Sequence, residues 1–565
     1  MSAERLFAPV SVSRGWPVVI AFAVYACAIV GTQLWFAVDP ANFHEEMRPL
    51  FRFHPWSDPA LFDGDYLAAF LSALPQPYLY EGMTRLWLWA GGSLLVLGRV
   101  FSVACWLALL LGMGLAARRL GNRLTVLGAV GFVAAQPLYL YQVTSAVPHA
   151  FGFPLLIWAV VAMLYGSLPG LVAVTVISGL LYPAMTPLVG LLLAWQVFVM
   201  GGLLRQDGRR KLTGLVLLAV TGALSLWLVF GSVPGASDEL GTPLAPMQQV
   251  DTYPENGPEG RHFYGVFNPL LYVAGKALGQ FRGTEVMSAL TVLLFCGGLA
   301  VYGFLGLPRG SAARRVFTGF VLCSGALGLA VYLMMSFHSY RFVFYPLFTL
   351  LPLFTVVGLQ RLCGRLERVL RWPEAAALAG LALLTFTFDS FDAQKAGHRY
   401  HLGAPGQQVM AFAAAQPADS VFAYWPASDS ELELIPYVAA RPVFVARKVH
   451  YPVYDAYVLT MRARMNALID AFLATQPAPL RDLRCHWGVD YLVVDRTSFP
   501  EAGERPTYFA PFDARIAEIW SRHRREDFLL ANPPAGSVVL DSGAYRVLDL
   551  ARLAGGDCAA APAQR

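Results

Sequence analysis

The chain reads as a polytopic α-helical membrane protein of about eleven spans with a C-terminal extracytoplasmic α/β domain. Three observations predict this. Of its 565 residues 56% are hydrophobic and only 14% charged, whereas soluble domains carry roughly 25% charged residues. Apolar stretches of spanning length recur along the first two thirds of the chain, a span needing about 20 apolar residues. Lys and Arg gather in alternate connections between them, the bias that sets orientation in a bilayer.

The expected spans fall near 16–38, 96–117, 124–143, 150–166, 169–183, 185–204, 212–233, 285–306, 316–336, 342–360 and 373–389. Two of them, 150–166 and 169–183, are short and joined by the tight turn Tyr165-Gly-Ser-Leu-Pro169, so a tilted or partly re-entrant pair fits there. With the N-terminus inside, the cytoplasmic connections hold Arg5 and Arg14, then Arg118, Arg119 and Arg123, then Arg205 to Lys211. Arg309 to Arg315 and Arg361 to Arg371 continue the series on the same side. The alternate loops 39–86, 144–149, 234–284 and 337–341 are acidic or nearly uncharged. An N-terminus in the cytoplasm and a C-terminal domain in the periplasm follow, in a multi-pass inner (plasma) membrane protein. No cleavable signal is expected, because the first span exceeds a signal's apolar core.

Two outer loops are long, 39–86 and 234–284, and loops of that length inside a compact protein usually have a function. The transmembrane part therefore runs over 1–395. The tryptophan-rich stretch 86–95 (LWLWAGGSLL) suits a membrane interface. From 396 to 555 the composition turns to a soluble α/β pattern. Strands are expected at Ser420-Val-Phe-Ala-Tyr-Trp-Pro and 488–495, a helix over 456–474, and a hairpin over 537–548 with Ser-Gly at its turn. Residues 556–565 read as a disordered tail. Cys27, Cys105, Cys296 and Cys323 lie in apolar runs as small hydrophobes, while Cys485 and Cys558 are placed to pair in an oxidising compartment, a pairing the sequence leaves open. The net charge of +5 belongs to the membrane flanks, so no nucleic-acid partner is expected.

The strongest chemical constellation is Asp39-Pro-Ala-Asn-Phe-His-Glu-Glu-Met-Arg48, directly after the first span. A carboxylate there meets both membrane-borne substrates and water, and is costly at that depth without a role or a partner. Asp39, Glu45 and Glu46 are the candidate catalytic acids, able to take a proton from an acceptor hydroxyl or amide. For Asp39 the alternative is a helix cap, Asp-Pro being a good helix start. Asp58, Asp63 and Asp65 form a second acidic group that leaves room for a divalent cation, although a solvated turn is favoured there. His149 and Tyr182 lie at outer turns and are candidates for lining a substrate cavity. His338 and Arg341 join two spans on the outer side, where positive charge is otherwise avoided, and suit a lipid-borne phosphate. The alternative for Arg341 is an interfacial anchor or a partner for an acid in loop 39–86.

The pattern resembles the GT-C superfamily of membrane glycosyltransferases. Asp39-Pro-Ala-Asn-Phe is similar to the DPxFN element of oligosaccharyltransferase catalytic subunits, with Asn and Phe in swapped order. The long outer loops match as well, and Asp419-Ser-Val-Phe-Ala-Tyr-Trp with Trp487-Gly-Val-Asp-Tyr-Leu-Val-Val-Asp495 resembles the extracytoplasmic tails of many bacterial members. The chain departs from the family in two places. Turn 144–149 lacks the acidic metal-binding pair of oligosaccharyltransferases, and Tyr424-Trp425-Pro426 is at best a remnant of their WWDYG run. A metal-independent enzyme, like the protein O-mannosyltransferase members, is favoured, with no cofactor beyond a divalent cation for which room remains.

What the resemblance implies is a transferase of envelope polysaccharide biosynthesis. It would move a sugar from a polyprenyl-phosphate donor to a glycan, lipid or protein acceptor on the outer face of the membrane, with membrane lipids around it. Two alternatives stay open: a transporter or flippase for lipid-linked glycans, and a non-catalytic envelope assembly subunit. The absence of a visible internal repeat and the low polarity of the spans weigh against the transporter. The sequence does not fix the sugar, the acceptor, the inverting base or the oligomeric state.

Overall fold

The computed structural model describes residues 12–201, 208–230, 235–244, 253–256, 259–261, 286–333, 341–366, 373–387, 391–394, 396–427, 430–450, 452–499, 505–555 and 558. It is mostly helical. Five helices are long and apolar enough to cross a membrane: Trp16–Val38, Leu94–Leu120, Pro183–Met200, Ala312–Leu333 and Arg341–Leu366. The pair Arg123–Ala134 and Pro137–Val143, bent by 71°, makes a sixth if it is one span. Five shorter apolar helices among the described residues stand where further spans were expected. Gly152–Leu164 and Leu168–Leu181 have 13 and 14 residues. At 1.5 Å per residue they reach only about 20 Å of a hydrocarbon layer about 30 Å thick.

Several of these helices are apolar on their outer faces too. Val24, Trp35, Leu111, Trp227, Leu294, Val321, Leu333 and Leu383 are all exposed, a belt far larger than a water-facing monomer carries. Inside, polar groups answer breaks in the helices. Pro352 has no N–H for the Phe348 carbonyl one turn back, and the Tyr139 hydroxyl donates to that oxygen at 2.6 Å. At the bend before Pro137 the Ala134 carbonyl accepts from the Gln33 side chain. Gly303 and Gly358 let two helix backbones touch: a Cβ on Gly358 would lie 2.0 Å from the Leu299 oxygen.

Short strand β1 (Asn42–Phe43) follows the first helix and pairs antiparallel with β2 (Tyr400–His401), in register Asn42 to His401 and Phe43 to Tyr400. This ladder ties the loop after the first span to the chain just beyond the last apolar helix. Next come β3 (Phe422–Tyr424), β4 (Tyr491–Asp495), β5 (Val538–Asp541) and β6 (Tyr545–Asp549), in a sheet ordered β3-β4-β6-β5. β3 and β4 are parallel, with helices Asp455–Phe472 and Pro477–Cys485 in the crossover. β5 and β6 form the hairpin, whose turn has Gly543 at φ +87°, a conformation glycine adopts without penalty.

Loop 39–86 is folded rather than free. Met47, Phe51, Phe53, Leu67 and Phe70 share one hydrophobic core with Tyr437, Tyr454, Tyr457, Met461 and Leu492, and the transmembrane-type helices form a second core. Phe70 stacks on Tyr457 with ring centroids 3.8 Å apart. The first outer loop therefore belongs by packing to the sheet region, although in sequence it precedes all but one of the apolar helices. The described parts of the second loop dock there as well: the Leu244 N–H bonds the Val453 oxygen and buried Glu255 pairs with Arg462. Cys485 and Cys558 are disulfide-bonded with Cα atoms 5.3 Å apart, which ties one residue of the expected tail to helix Pro477–Cys485. The rest of 556–565 lies outside the described residues.

Candidate active site

The junction of the two cores gathers the polar groups. After the first helix the chain turns at Asp39, whose carboxylate accepts from the Ala41 N–H at 2.9 Å and from the Asn42 side chain at 3.5 Å. Asn42 in turn bonds His401 Nδ1 at 2.9 Å. Asp39 thus shapes the turn that launches β1, while the helix that follows, Glu45–Trp56, is capped by His44 and not by Asp39. The next three residues enter the junction. Fully buried His44 donates from Nε2 to the Tyr141 carbonyl at 2.8 Å and accepts the Glu46 N–H at Nδ1, 3.0 Å away. Both bonds fix the neutral ring, and burial pushes its pKa down to about 4.

Glu45 and Glu46 each meet a cation from the far end of the chain. Glu45 accepts the Tyr141 hydroxyl at 2.5 Å and pairs with Arg399 at 2.9 Å. Glu46 pairs with Lys448, and 22% of its side chain and 18% of the lysine's remain exposed. Burial pushes both carboxyls up, but the Tyr141 hydroxyl holds Glu45, and Lys448 holds Glu46, below the ordinary carboxylate range. Burial pushes the Lys448 ammonium down and Glu46 pushes it back. Beneath them Arg48 pairs with fully buried Glu433 at 2.9 Å, and the second Glu433 oxygen accepts the Arg447 N–H at 2.8 Å.

The helical side supplies the rest. Turn 144–149 is pinned by the Tyr80 hydroxyl on the Ala146 oxygen and by Ser102 on the Thr144 oxygen, with Ala146 at φ +58°. A non-glycine residue there costs about 1–3 kcal/mol and marks a segment its surroundings over-determine. The Tyr345 hydroxyl bonds Gln142 at 3.1 Å and the His149 carbonyl at 3.3 Å, and the Tyr345 ring meets Tyr182 edge-on at 6.3 Å. His149 feels the charges of Glu46, Arg341, Lys448 and His44. His149 is therefore within electrostatic reach of Glu46, Lys448 and Arg341, while Tyr182 packs on Tyr345, whose hydroxyl bonds the His149 carbonyl. His338 lies outside the described residues.

The second acidic group is not drawn in by any of these contacts. Asp58 caps its own turn through the Ala60 N–H, Asp63 is exposed, and Asp65 caps helix Tyr66–Ala73 through the Ala68 N–H at 2.7 Å. Burial raises the Asp65 pKa to about 6. Among the described residues no cluster of three or more His, Cys, Asp or Glu gathers as a metal site. Residues the sequence reading missed are His44, Tyr141, Arg399, Lys448 and His398, whose ring meets that of His44 edge-on at 6.2 Å. For Lys448 a signal existed: the chain has only four lysines, Lys211, Lys276, Lys395 and Lys448.

No protein-family model matches the chain, and no curated protein does. Among solved structures it is similar to the oligosaccharyltransferase of Archaeoglobus fulgidus, at 15% identity over 85% of this chain and 68% of that one, with a TM-score of 0.46. It is similar to ArnT from Cupriavidus metallidurans, at 14% identity over 97% and 100%, with a TM-score of 0.47. It also resembles the arabinofuranosyltransferase AftD from mycobacteria, at 15% identity, over 96% of this chain but 42% of that one, with a TM-score of 0.45. Likeness at this level assigns neither family nor function.

Proposed function

We propose that the chain is an integral membrane glycosyltransferase that moves a sugar from a polyprenyl-phosphate donor to an acceptor hydroxyl or amide at the outer face of the membrane. One observation carries the reading: two acids placed directly after an apolar span, each met by a cation, where the apolar helices join the sheet region. In an inverting displacement the bond from the sugar's anomeric carbon to the donor phosphate oxygen breaks, and a bond to the acceptor atom forms. The acceptor proton goes to a carboxylate, and the phosphate leaves with the electron pair. Glu46 is favoured as the base, because Lys448 can turn from it to the leaving phosphate. Glu45 is the second candidate, and Asp39 holds the turn that sets both. Arg341 supports the phosphate from the helical side. No step is routed through a metal ion. The N-terminus is placed in the cytoplasm and the sheet region outside.

The test is turnover in proteoliposomes with a panel of polyprenyl-phosphate sugars. Undecaprenyl-phosphate sugars come first, that lipid being bound in one ArnT structure. Glu46→Gln should lower turnover by about two to four orders of magnitude with the fold retained, and Asp39→Asn, which keeps capping ability, should lower it less. Turnover within a few-fold of wild type for Glu46→Gln and Glu45→Gln alike would remove the transferase site from this junction.

A further inference from the structure

Helix Arg341–Leu366 runs away from the junction, and its far end lies against the end of helix Val286–Leu305. The backbone contact at Gly303 and Gly358 brings the two ends together. Arg361 and Arg365, one turn apart on one face, converge there on a single ring. Their guanidinium carbons lie 5.4 and 5.2 Å from the Tyr302 centroid. Arg361 also donates from Nη1 to the Tyr302 carbonyl at 3.4 Å. Gly306 makes the room for it, since a Cβ there would overlap the Arg361 guanidinium. Arg314, from helix Ala312–Leu333, lies 5.6 Å from the Phe304 centroid and donates to the Leu307 carbonyl at 3.3 Å. Three guanidiniums thus gather on residues 302–307.

The chain around them does not balance this charge. Segments 306–315 and 361–372 hold Arg309, Arg314, Arg315, Arg361, Arg365, Arg368 and Arg371 against a single acid, Glu367. One carboxylate, even fully paired, leaves the group strongly positive. Arginines that bond the last carbonyls of a helix are ordinary caps, and a basic bias on one side sets orientation. Neither accounts for Arg365, which is exposed and sits over the ring that Arg361 already occupies. Two like charges on one ring repel, and an anion held between them relieves the repulsion. The position along the membrane helix says which anion. Leu294, Phe295, Val301 and Leu305 are exposed along helix Val286–Leu305. A helix that faces hydrocarbon along its length meets lipid headgroups at its end, and the arginines gather at that end.

We propose that Arg361 and Arg365, with Arg314 beside them, bind the phosphate of an anionic phospholipid in the leaflet on this side of the membrane, the side read as cytoplasmic. The unesterified oxygens of a phosphodiester suit guanidinium edges, and its acyl chains would run along Val301 and Leu305. Basic clefts between membrane helices take acidic headgroups in this way. The site is independent of the transferase reading and lies outside its chemistry.

The experiment uses the full chain in detergent, titrated with phosphatidylglycerol, phosphatidylcholine or glycerol 3-phosphate, with bound lipid read by native mass spectrometry and the melting temperature followed in parallel. A basic residue at an anionic lipid is worth about fivefold in affinity. Phosphatidylglycerol should therefore bind about tenfold or more tightly than phosphatidylcholine and raise the melting temperature. Arg365→Gln breaks no hydrogen bond among the described residues, so it should cut phosphatidylglycerol affinity about fivefold with the lipid-free melting temperature unchanged. Arg361→Gln with Arg365→Gln should abolish the preference, and if that pair does not fold, the single Arg365 variant decides. Arg85→Gln, on a helix of the first outer loop, should leave the preference intact. The proposal is overturned if phosphatidylglycerol binds no more tightly than phosphatidylcholine, or if Arg365→Gln leaves its affinity unchanged. It is also overturned if glycerol 3-phosphate displaces the lipid at equal concentration, which would make the site one for a free phosphate.

Discussion

Gly397 sits at φ +92°, and a Cβ there would lie 2.1 Å from His44 Nε2. Its carbonyl also accepts the Glu45 N–H at 3.3 Å. Gly397→Ala should therefore both strain the backbone and push His44 off the Tyr141 carbonyl, lowering the melting temperature and cutting turnover tenfold or more. Gly64→Ala is the control: Gly64 has φ +68° but nothing within 4 Å of its would-be Cβ, so it should cost stability alone. The buried histidines set a pH dependence. Burial lowers His44 to about 4 and His398 and His450 to about 3, so each stays neutral where the unfolded chain, at about 6.5, already holds a proton. Below about pH 6.5 the unfolded state binds more protons, and stability falls by about 1.4 kcal/mol per pH unit for each such group. His54, lowered by burial, adds to this, while Asp65, raised by burial to about 6, and Glu431, also raised by burial, oppose it. Glu45 and Glu46, held low, add to the loss only below the ordinary carboxylate range. Melting curves from pH 7 to 4 should decline throughout, and a melting temperature that rises on acidification would contradict the assignment. The acid pair was legible because Glu45 and Glu46 follow an apolar span closely. Lys448, Arg399 and Tyr141 were not, because hundreds of residues separate some of them from their partners and nothing local marks an arginine or a tyrosine as a site residue. For Asp65 the sequence favoured a solvated turn and left room for a cation, and in space it is a helix cap, since both roles want the same carboxylate beside a turn.

Among elements, helix Arg341–Leu366 shows how apolar segments carry prolines. Removing the Tyr139 hydroxyl as Tyr139→Phe leaves the Phe348 carbonyl, freed by Pro352, without a donor. The expected cost is about 1–3 kcal/mol for an unanswered buried polar group, read as a lower melting temperature in detergent, and Pro352→Ala in the same chain should restore much of it by returning the helical N–H. The sheet region was readable element by element. The strand expected over 488–495 is Tyr491–Asp495, and the hairpin turns at Ser542-Gly543. Alternating patterns and turn residues are local signals. The β1–β2 ladder was not readable, because two-residue strands carry no periodicity and their pairing spans nearly the whole apolar part of the chain. The two segments read as short, 150–166 and 169–183, are short helices in the structure as well, Gly152–Leu164 and Leu168–Leu181.

For the molecule as a whole, orientation is the property most open to test. The charge bias of the connections leads us to propose that Gly121, Gly208 and Gly310 lie inside and the sheet region outside. Reporter fusions at those glycines should read cytoplasmic, and one after Ala554 should read the opposite side. The Cys485–Cys558 bond agrees with this, since such bonds persist in oxidising compartments. A cytoplasmic signal from the C-terminal fusion would sink the orientation and the outer-face chemistry with it. The core shared by loop 39–86 and the sheet region also has a consequence in time. Phe70 leaves the ribosome about 390 residues before its stacking partner Tyr457, a wait of roughly 20 to 80 seconds at ordinary rates of synthesis. Throughout that interval Phe51, Phe53, Leu67 and Phe70 lack the sheet region's share of their core, so the newborn loop is a client for whatever shields apolar chain on that side of the membrane. The acids beside it meet their cations only once Arg399 and Lys448 have been made, and a chain terminated before them carries the carboxylates without their partners.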